Sequence, residues 1–172
     1  MAEILDGKKL AKKIKENLKI EVDKLKENGT NPKLAVIMVG NDPASSVYVK
    51  NKSKACKNVG VDFEEFLLDE NIQEQELFDL IDKLNSDEKI TGILLQAPIP
   101  KHLDINKAFE RISYKKDVDG FNPINVGKLS IGVDSFISCT PFGIMKLLEE
   151  YNIDLEGKNA VVLGRSNIVG KP

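Results

Sequence analysis

Lys33 to Gly40 reads KLAVIMVG, an apolar run bounded by Pro32 on one side and ending in Gly40 on the other. It is short, carries β-branched residues, and after Lys33 offers no polar side chain to water. A strand buried on both faces is therefore expected, the kind found in parallel sheets. Upstream, Leu10, Ile14, Leu18, Val22 and Leu25 recur every three or four residues between Asp6 and Asn28, which predicts an amphipathic helix ending at Gly29. Downstream, Pro43 can open a helix that runs to Gly60, Val61 to Leu68 alternates as a second strand, and Leu77, Leu80, Ile81 and Leu84 share one face of a helix over Ile72 to Asn85. Ile90 to Leu95 (ITGILL) predicts a third buried strand, stopped by Gln96-Ala97-Pro98-Ile99-Pro100 because proline continues neither ladder nor helix. Strands alternating with helices mean an α/β fold with a mostly parallel sheet.

Ser113 to Ser138 is rich in Asp, Asn, Gly and Pro and is expected to be irregular, a linker or a site-bearing loop. Thr140-Pro141 then starts a helix with Ile144, Leu147 and Leu148 turned inward. Asn159 to Leu163 predicts a strand that opens into Gly164-Arg165-Ser166-Asn167-Ile168-Val169-Gly170-Lys171-Pro172. A strand feeding a glycine-rich turn calls for a helix and a further strand, so the sequence looks cut inside a second domain. Residues 1–139 are expected to form the first domain, and 140–172 a linking helix and the start of a Rossmann-type second one.

Composition narrows the chemistry. The 172 residues carry 25 Lys plus Arg against 27 Asp plus Glu, a net charge of −2, without the basic excess of a nucleic-acid binder. The 41% hydrophobic and 30% charged fractions are those of a globular protein. No apolar run approaches the roughly 20 residues of a membrane span, and the amino terminus lacks a secretory signal, so the reading is cytoplasmic. Cys56 and Cys139 lie 83 positions apart, which fits separate thiols better than a disulfide framework or zinc site. His102 stands alone and is read as a surface loop residue, so no metal centre is expected. Chemistry must run on Lys, Tyr, Asp, Gln, Cys or a cofactor.

Tyr48 and Lys52 are four apart on one predicted helix, with Ser45 a turn earlier. A lysine on such a stripe either snorkels to solvent or is held in a site that makes it an acid or base. Gln96 ends a buried strand, at the carboxyl edge where parallel sheets place ligands, with both a donor and an acceptor to offer. Asp117-Val118-Asp119-Gly120 is no calcium loop: with Gly120 at the sixth position, Lys115 and Val126 would fall where ligands must be. It leaves a pair of carboxylates that either sit in a solvated turn or accept hydrogen bonds from a nitrogen-rich ring. The Gly164 to Gly170 turn matches neither a P-loop nor G-x-G-x-x-G. Its strand-turn context suits a pyrophosphate, and Arg165, one of two arginines in the chain, suits the extra phosphate of NADP.

Together, NDPASSVYVKNKSKAC (Asn41 to Cys56), GILLQAPIP (Gly92 to Pro100), KDVDGF (Lys116 to Phe121), SCTPFGI (Ser138 to Ile144) and VVLGRSNIVGKP (Val161 to Pro172) resemble one family. It is the bifunctional methylene-tetrahydrofolate dehydrogenase/methenyl-tetrahydrofolate cyclohydrolase family of one-carbon metabolism and purine synthesis. The resemblance implies a two-domain α/β enzyme, a cleft between a folate-binding catalytic domain and an NADP domain, and a cytoplasmic homodimer. It implies a catalytic role for Lys52, supported by Tyr48 and Gln96, pterin anchoring by Asp119, and a site lined by Ser45 and Cys139. Thr140, Gly164, Arg165, Ser166 and Ile168 fall where the family holds NADP. Two positions depart from its pattern: Ala97 stands where leucine is usual, and Ser138 where proline is. The family also extends well beyond residue 172. Two other readings stay open, a folate-binding module without turnover and a dehydrogenase of another substrate on the same architecture.

Overall fold

The computed structural model describes residues 3–172. Met1 and Ala2, which open the amino-terminal stretch read above, lie outside the described residues. The chain runs α1 (Gly7–Glu27), β1 (Lys33–Val39), α2 (Pro43–Val59), β2 (Asp62–Leu68), α3 (Glu74–Ser86), β3 (Gly92–Gln96), α4 (Ile105–Arg111), α5 (Pro123–Ser130) and α6 (Cys139–Glu150).

The sheet is parallel in the order β2-β1-β3, with Val36 opposite both Glu65 and Leu94. β1 is central, and Ala35, Val36 and Ile37 are fully buried, which is why the run KLAVIMV alternates with nothing polar. Its residues divide between two cores. Ala35, Ile37 and Val39 pack with Leu77, Ile81 and Leu84 of α3 and with Ile93 and Leu95 of β3. Val36 and Met38 pack with Val49 of α2 and with Leu94. β2 is an edge strand, so Glu64 and Glu65 are tolerated there.

Local chemistry sets the helix ends. The Asp6 carboxylate caps α1, accepting from the Lys8 and Lys9 amides at 3.0 Å. The Asp42 carboxylate caps α2 ahead of Pro43. Gly60 closes α2 at φ 84°, and a side chain there would press Val22 of α1 at 3.3 Å. Of the predicted α1 stripe, Leu10 and Val22 are buried, while Ile14, Leu18 and Leu25 stay 36–43% exposed.

Three expectations need correction, at 113–138, 159–163 and Ile144, and one helix, α4, was not foreseen. The stretch 113–138 contains a helix, α5, because Asn122 accepts from the Ile124 amide at 2.8 Å and Pro123 takes the first helical position. α4 forms behind the Asp104 cap, a signal hidden by the preceding prolines. Residues 159–163 form no strand: Val161, Val162 and Leu163 are 85%, 67% and 96% exposed, and none of the described strands lies beside them. A strand exists only where a neighbour takes up its backbone groups. On α6, Leu147 and Leu148 are half-buried, but Ile144 is half exposed.

Candidate active site

Gln96 is the last residue of β3, at the carboxyl edge of the sheet, and Lys52 lies on the third turn of α2 beside it. The Lys52 ammonium donates to Gln96 Oε1 at 2.9 Å. The Gln96 amide is held in that orientation because its own Nε2 donates to the Ala97 carbonyl at 2.8 Å. The Ala97–Pro98 peptide that follows is cis.

The two carboxylates of the KDVDGF loop divide their work. Residues 116–118 run along β3, where the Ile93 amide donates to the Lys116 carbonyl at 2.7 Å and Ile93 bridges Asp117. Asp117 is 3% exposed and is consumed internally, accepting from the Asn122 amide at 2.9 Å and Asn125 Nδ2 at 2.8 Å. Asp119 turns instead toward Lys52. Burial pushes its carboxyl above the usual range, the Lys52 charge opposes this, and the Asp117 charge adds to it. Gly120 follows at φ 68°, and a side chain there would come within 2.7 Å of the Phe136 carbonyl. That close crossing carries residues 136–140 past the loop and into the site.

A cleft of about 240 Å³ results, walled among others by Lys52, Gln96, Asp119, Phe121, Thr140 and Ile168. Cys139 shares it. Its sulfur lies 3.9 Å from the Val118 carbonyl, and burial together with the Asp119 charge pushes the thiol up. Tyr48 is off this wall and 63% exposed. Ser45 is buried beneath α2, 3% exposed, with its amide donating to the Asp42 carboxylate at 2.7 Å. That contact, with the serine side chain, holds Asp42 below the ordinary carboxylate range. Ser45, Val49 and Val59 thus form the buried stripe of α2, and Tyr48 flanks it.

The glycine-rich turn divides likewise. Ile168 and Val169 reach the cleft, while Gly164, Arg165 and Ser166 are exposed and do not line it. Ser166 Oγ accepts from the Val169 and Gly170 amides at 3.1 and 3.3 Å, closing the turn on itself. Gly164 stands at φ 131° with open space where a side chain would be. A phosphate can approach the backbone there, with the Arg165 guanidinium alongside, so these residues fit the phosphate end of a dinucleotide. Sequence reasoning did not single out Phe121 or Val169; the only signal was adjacency, one residue past Gly120 and one past Ile168. His102 lies elsewhere, its Nε2 3.0 Å from the Ile72 carbonyl. No group of three His, Cys, Asp or Glu that could hold a metal occurs among the described residues. No described helix is long and apolar enough to cross a membrane.

Fold and site define a class: an α/β protein whose ligand cleft lies at the carboxyl ends of its parallel strands, facing a glycine-rich turn. Residues 5–119 match the model of the tetrahydrofolate dehydrogenase/cyclohydrolase catalytic domain, and residues 138–172 match that of its NAD(P)-binding domain. The chain belongs to the tetrahydrofolate dehydrogenase/cyclohydrolase family. The bifunctional protein FolD of Acetivibrio thermocellus is 57% identical over 99% of this chain, which spans 60% of that protein's length. The crystal structure of the FolD methylenetetrahydrofolate dehydrogenase/cyclohydrolase of Campylobacter jejuni superposes with a TM-score of 0.97 at 52% identity, over 98% of this chain and 60% of that one. A Trypanosoma brucei methylenetetrahydrofolate dehydrogenase-cyclohydrolase, complexed with NADP and an inhibitor, superposes at 0.93 with 34% identity, over 99% and 59%.

Proposed function

We propose that the protein carrying this chain oxidises 5,10-methylene-tetrahydrofolate with NADP and hydrolyses the resulting methenyl cation to 10-formyl-tetrahydrofolate. The observation that carries the reading is the Lys52–Gln96 bond of 2.9 Å in one cleft with Asp119, in a chain of this family. The FolD relatives, named as bifunctional, and the NADP complex of the Trypanosoma brucei protein support it.

The chain's own residues have three tasks. The Asp119 carboxylate accepts hydrogen bonds from the pterin's N–H groups and fixes the ring's orientation. Tyr48, exposed one turn before Lys52, offers an aromatic face to the folate. In the hydrolytic step water attacks the methenyl carbon and Lys52 in its amine form takes one of its protons, held toward the reacting carbon by its bond to Gln96. The bond from that carbon to N5 then breaks, N5 takes up the remaining hydroxyl proton as the formyl C=O forms on N10, and Lys52 returns its proton to solvent. Thr140, Gly164, Arg165, Ser166 and Ile168 would hold NADP, which when bound accepts the hydride; the protein's part in that step is alignment of two rings. The thiols of Cys56 and Cys139 are free, which supports a reducing, cytoplasmic setting, and the family reading carries a homodimer with it.

Purified full-length protein tests the reading: NADPH formation from methylene-tetrahydrofolate, and loss of methenyl absorbance, each followed separately. Both activities are expected. Folate binding without either would replace the enzyme by a binding module.

A further inference from the structure

Ser138 occupies the cap position of α6 at φ −52° and ψ 131°, where a serine ordinarily accepts a hydrogen bond from the first helical turn. Its side chain makes no such bond. The hydroxyl, on a residue only 4% exposed, instead donates to the carbonyl oxygen of Ile168, 30 residues further on, at 2.5 Å. The acceptor belongs to the glycine-rich turn, which Ser166 closes into a compact unit. On its other side the same stretch is pinned, because Phe136 and Ile137 cross the backbone at Gly120 with no room for a side chain. Residues 136–138 are thus a spacer, gripped by the Asp119-Gly120 loop at one end and by the turn at the other.

We propose that Ser138 is a positioning residue: its hydroxyl sets the nucleotide-binding turn at a fixed distance from the Lys52–Asp119 cleft, aligning cofactor with folate. The proposal rests on reading that turn as the NADP site. Without the hydroxyl the turn loses its only side-chain bond to α6's cap among the described residues, while Lys52, Gln96 and Asp119 keep theirs. The dehydrogenase step, which needs both ligands aligned, depends on Ser138. The hydrolytic step, which needs the folate alone, does not.

The test compares wild-type, Ser138→Ala and Ser138→Thr forms of the full-length protein carrying this sequence. KM and kcat are measured for NADP in the dehydrogenase reaction and for methenyl-tetrahydrofolate in hydrolysis, with thermal melting alongside. Ser138→Ala is expected to raise the KM for NADP about fivefold, the scale of one lost hydrogen bond, and to leave the hydrolytic KM and kcat within about twofold. Ser138→Thr, which keeps a hydroxyl, is expected to restore the NADP value. An unchanged KM for NADP in Ser138→Ala overturns the proposal. So does a parallel fall in both activities, which marks a merely structural role, or a failure of Ser138→Thr to recover. A wild-type protein that turns over no NADP overturns the functional reading and the proposal with it, whereas an active wild type beside an unaffected Ser138→Ala overturns the proposal alone.

Discussion

Residues 34–39 and 160–163 are both short apolar runs rich in β-branched side chains, and they meet opposite fates. The first lies between two parallel neighbours and under two helical faces, and its residues 35–37 are wholly buried. The second is unpaired, with Leu163 at 96% exposure. The difference is in neighbours rather than in the runs themselves: a strand's backbone groups and both its faces must be satisfied from outside. It also separates the two halves of the candidate site. Lys52, Gln96 and Asp119 stand on elements anchored by a core, whereas Gly164, Arg165 and Ser166 stand on a turn that, among the described residues, receives a side-chain hydrogen bond from the rest at Ser138.

The sharpest way to break this contrast is to hollow out each run in the chain 1–172. Ile37→Ala, in the first run and fully buried, is expected to cost about 2–5 kcal/mol, as buried truncations do. Val162→Ala is expected to stay within about 0.5 kcal/mol, as at exposed sites. Urea unfolding measures both. A cost near 2 kcal/mol at residue 162 would mean that the run is covered, and the contrast would fall.

Next in size is the anchored half of the site. Lys52→Met is expected to slow methenyl hydrolysis about a hundredfold, the usual scale for a lost acid-base group, with the melting transition retained. An unchanged rate would remove Lys52 from the chemistry.

Asp119→Asn sharpens the same half. Losing a charge-assisted hydrogen bond costs about 1.5–3 kcal/mol, so the folate KM is expected to rise roughly 10- to 100-fold. The pH dependence has a definite sign. Because burial raises the native Asp119 pKa, its ionised form costs stability above the unfolded value near 3.9, and that cost is relieved as pH falls through the native value. Pterin binding needs the ionised form, so wild-type folate KM is expected to begin rising on acidification at a pH above that of an ordinary aspartate. The profile of Asp119→Asn is expected to be flat there. Calorimetry at several pH values checks both, and identical profiles would return Asp119 to the solvated-turn reading.

Much of this was legible in the sequence for physical reasons. The continuous run of β1, the 3.6-residue period of α3 and the proline and glycine at the ends of α2 each encode their own structure locally. The juxtaposition of Lys52 with Gln96 was legible only through the family resemblance, since nothing local to either residue says that a helix side chain and a strand end 44 positions apart meet. What was not legible depended on distant partners. The 113–138 stretch hid α5 because its turn-forming composition masks an Asn-Pro helix start. The division of labour between Asp117 and Asp119 depends on Asn122 and Asn125, which only the fold brings to Asp117. Residues 159–163 carry the local signals of a strand, and among the described residues no strand lies beside them.

The smallest expected effect lies where α1 and α6 meet, at the far end of α6 from the cleft. Tyr151 OH accepts from the Asp6 amide at 2.8 Å, and Lys13 pairs with Glu150 at 2.7 Å. Both contacts are exposed or half-exposed, so Lys13→Met is expected to cost no more than about 1 kcal/mol, vanishing in high salt as the pair is screened. Tyr151→Phe, which removes a neutral and salt-insensitive acceptor, is expected to cost about 0.5–1.5 kcal/mol at any salt concentration. Unfolding in low and high salt separates the two. A salt-independent loss in Lys13→Met, which keeps the aliphatic stem, would mean that the Lys13–Glu150 contact is shielded rather than screened. The tie between the anchored layer and the nucleotide-binding segment would then rest at this end on two salt-insensitive polar contacts, at Glu150 and Tyr151, as it rests on Ser138 at the other.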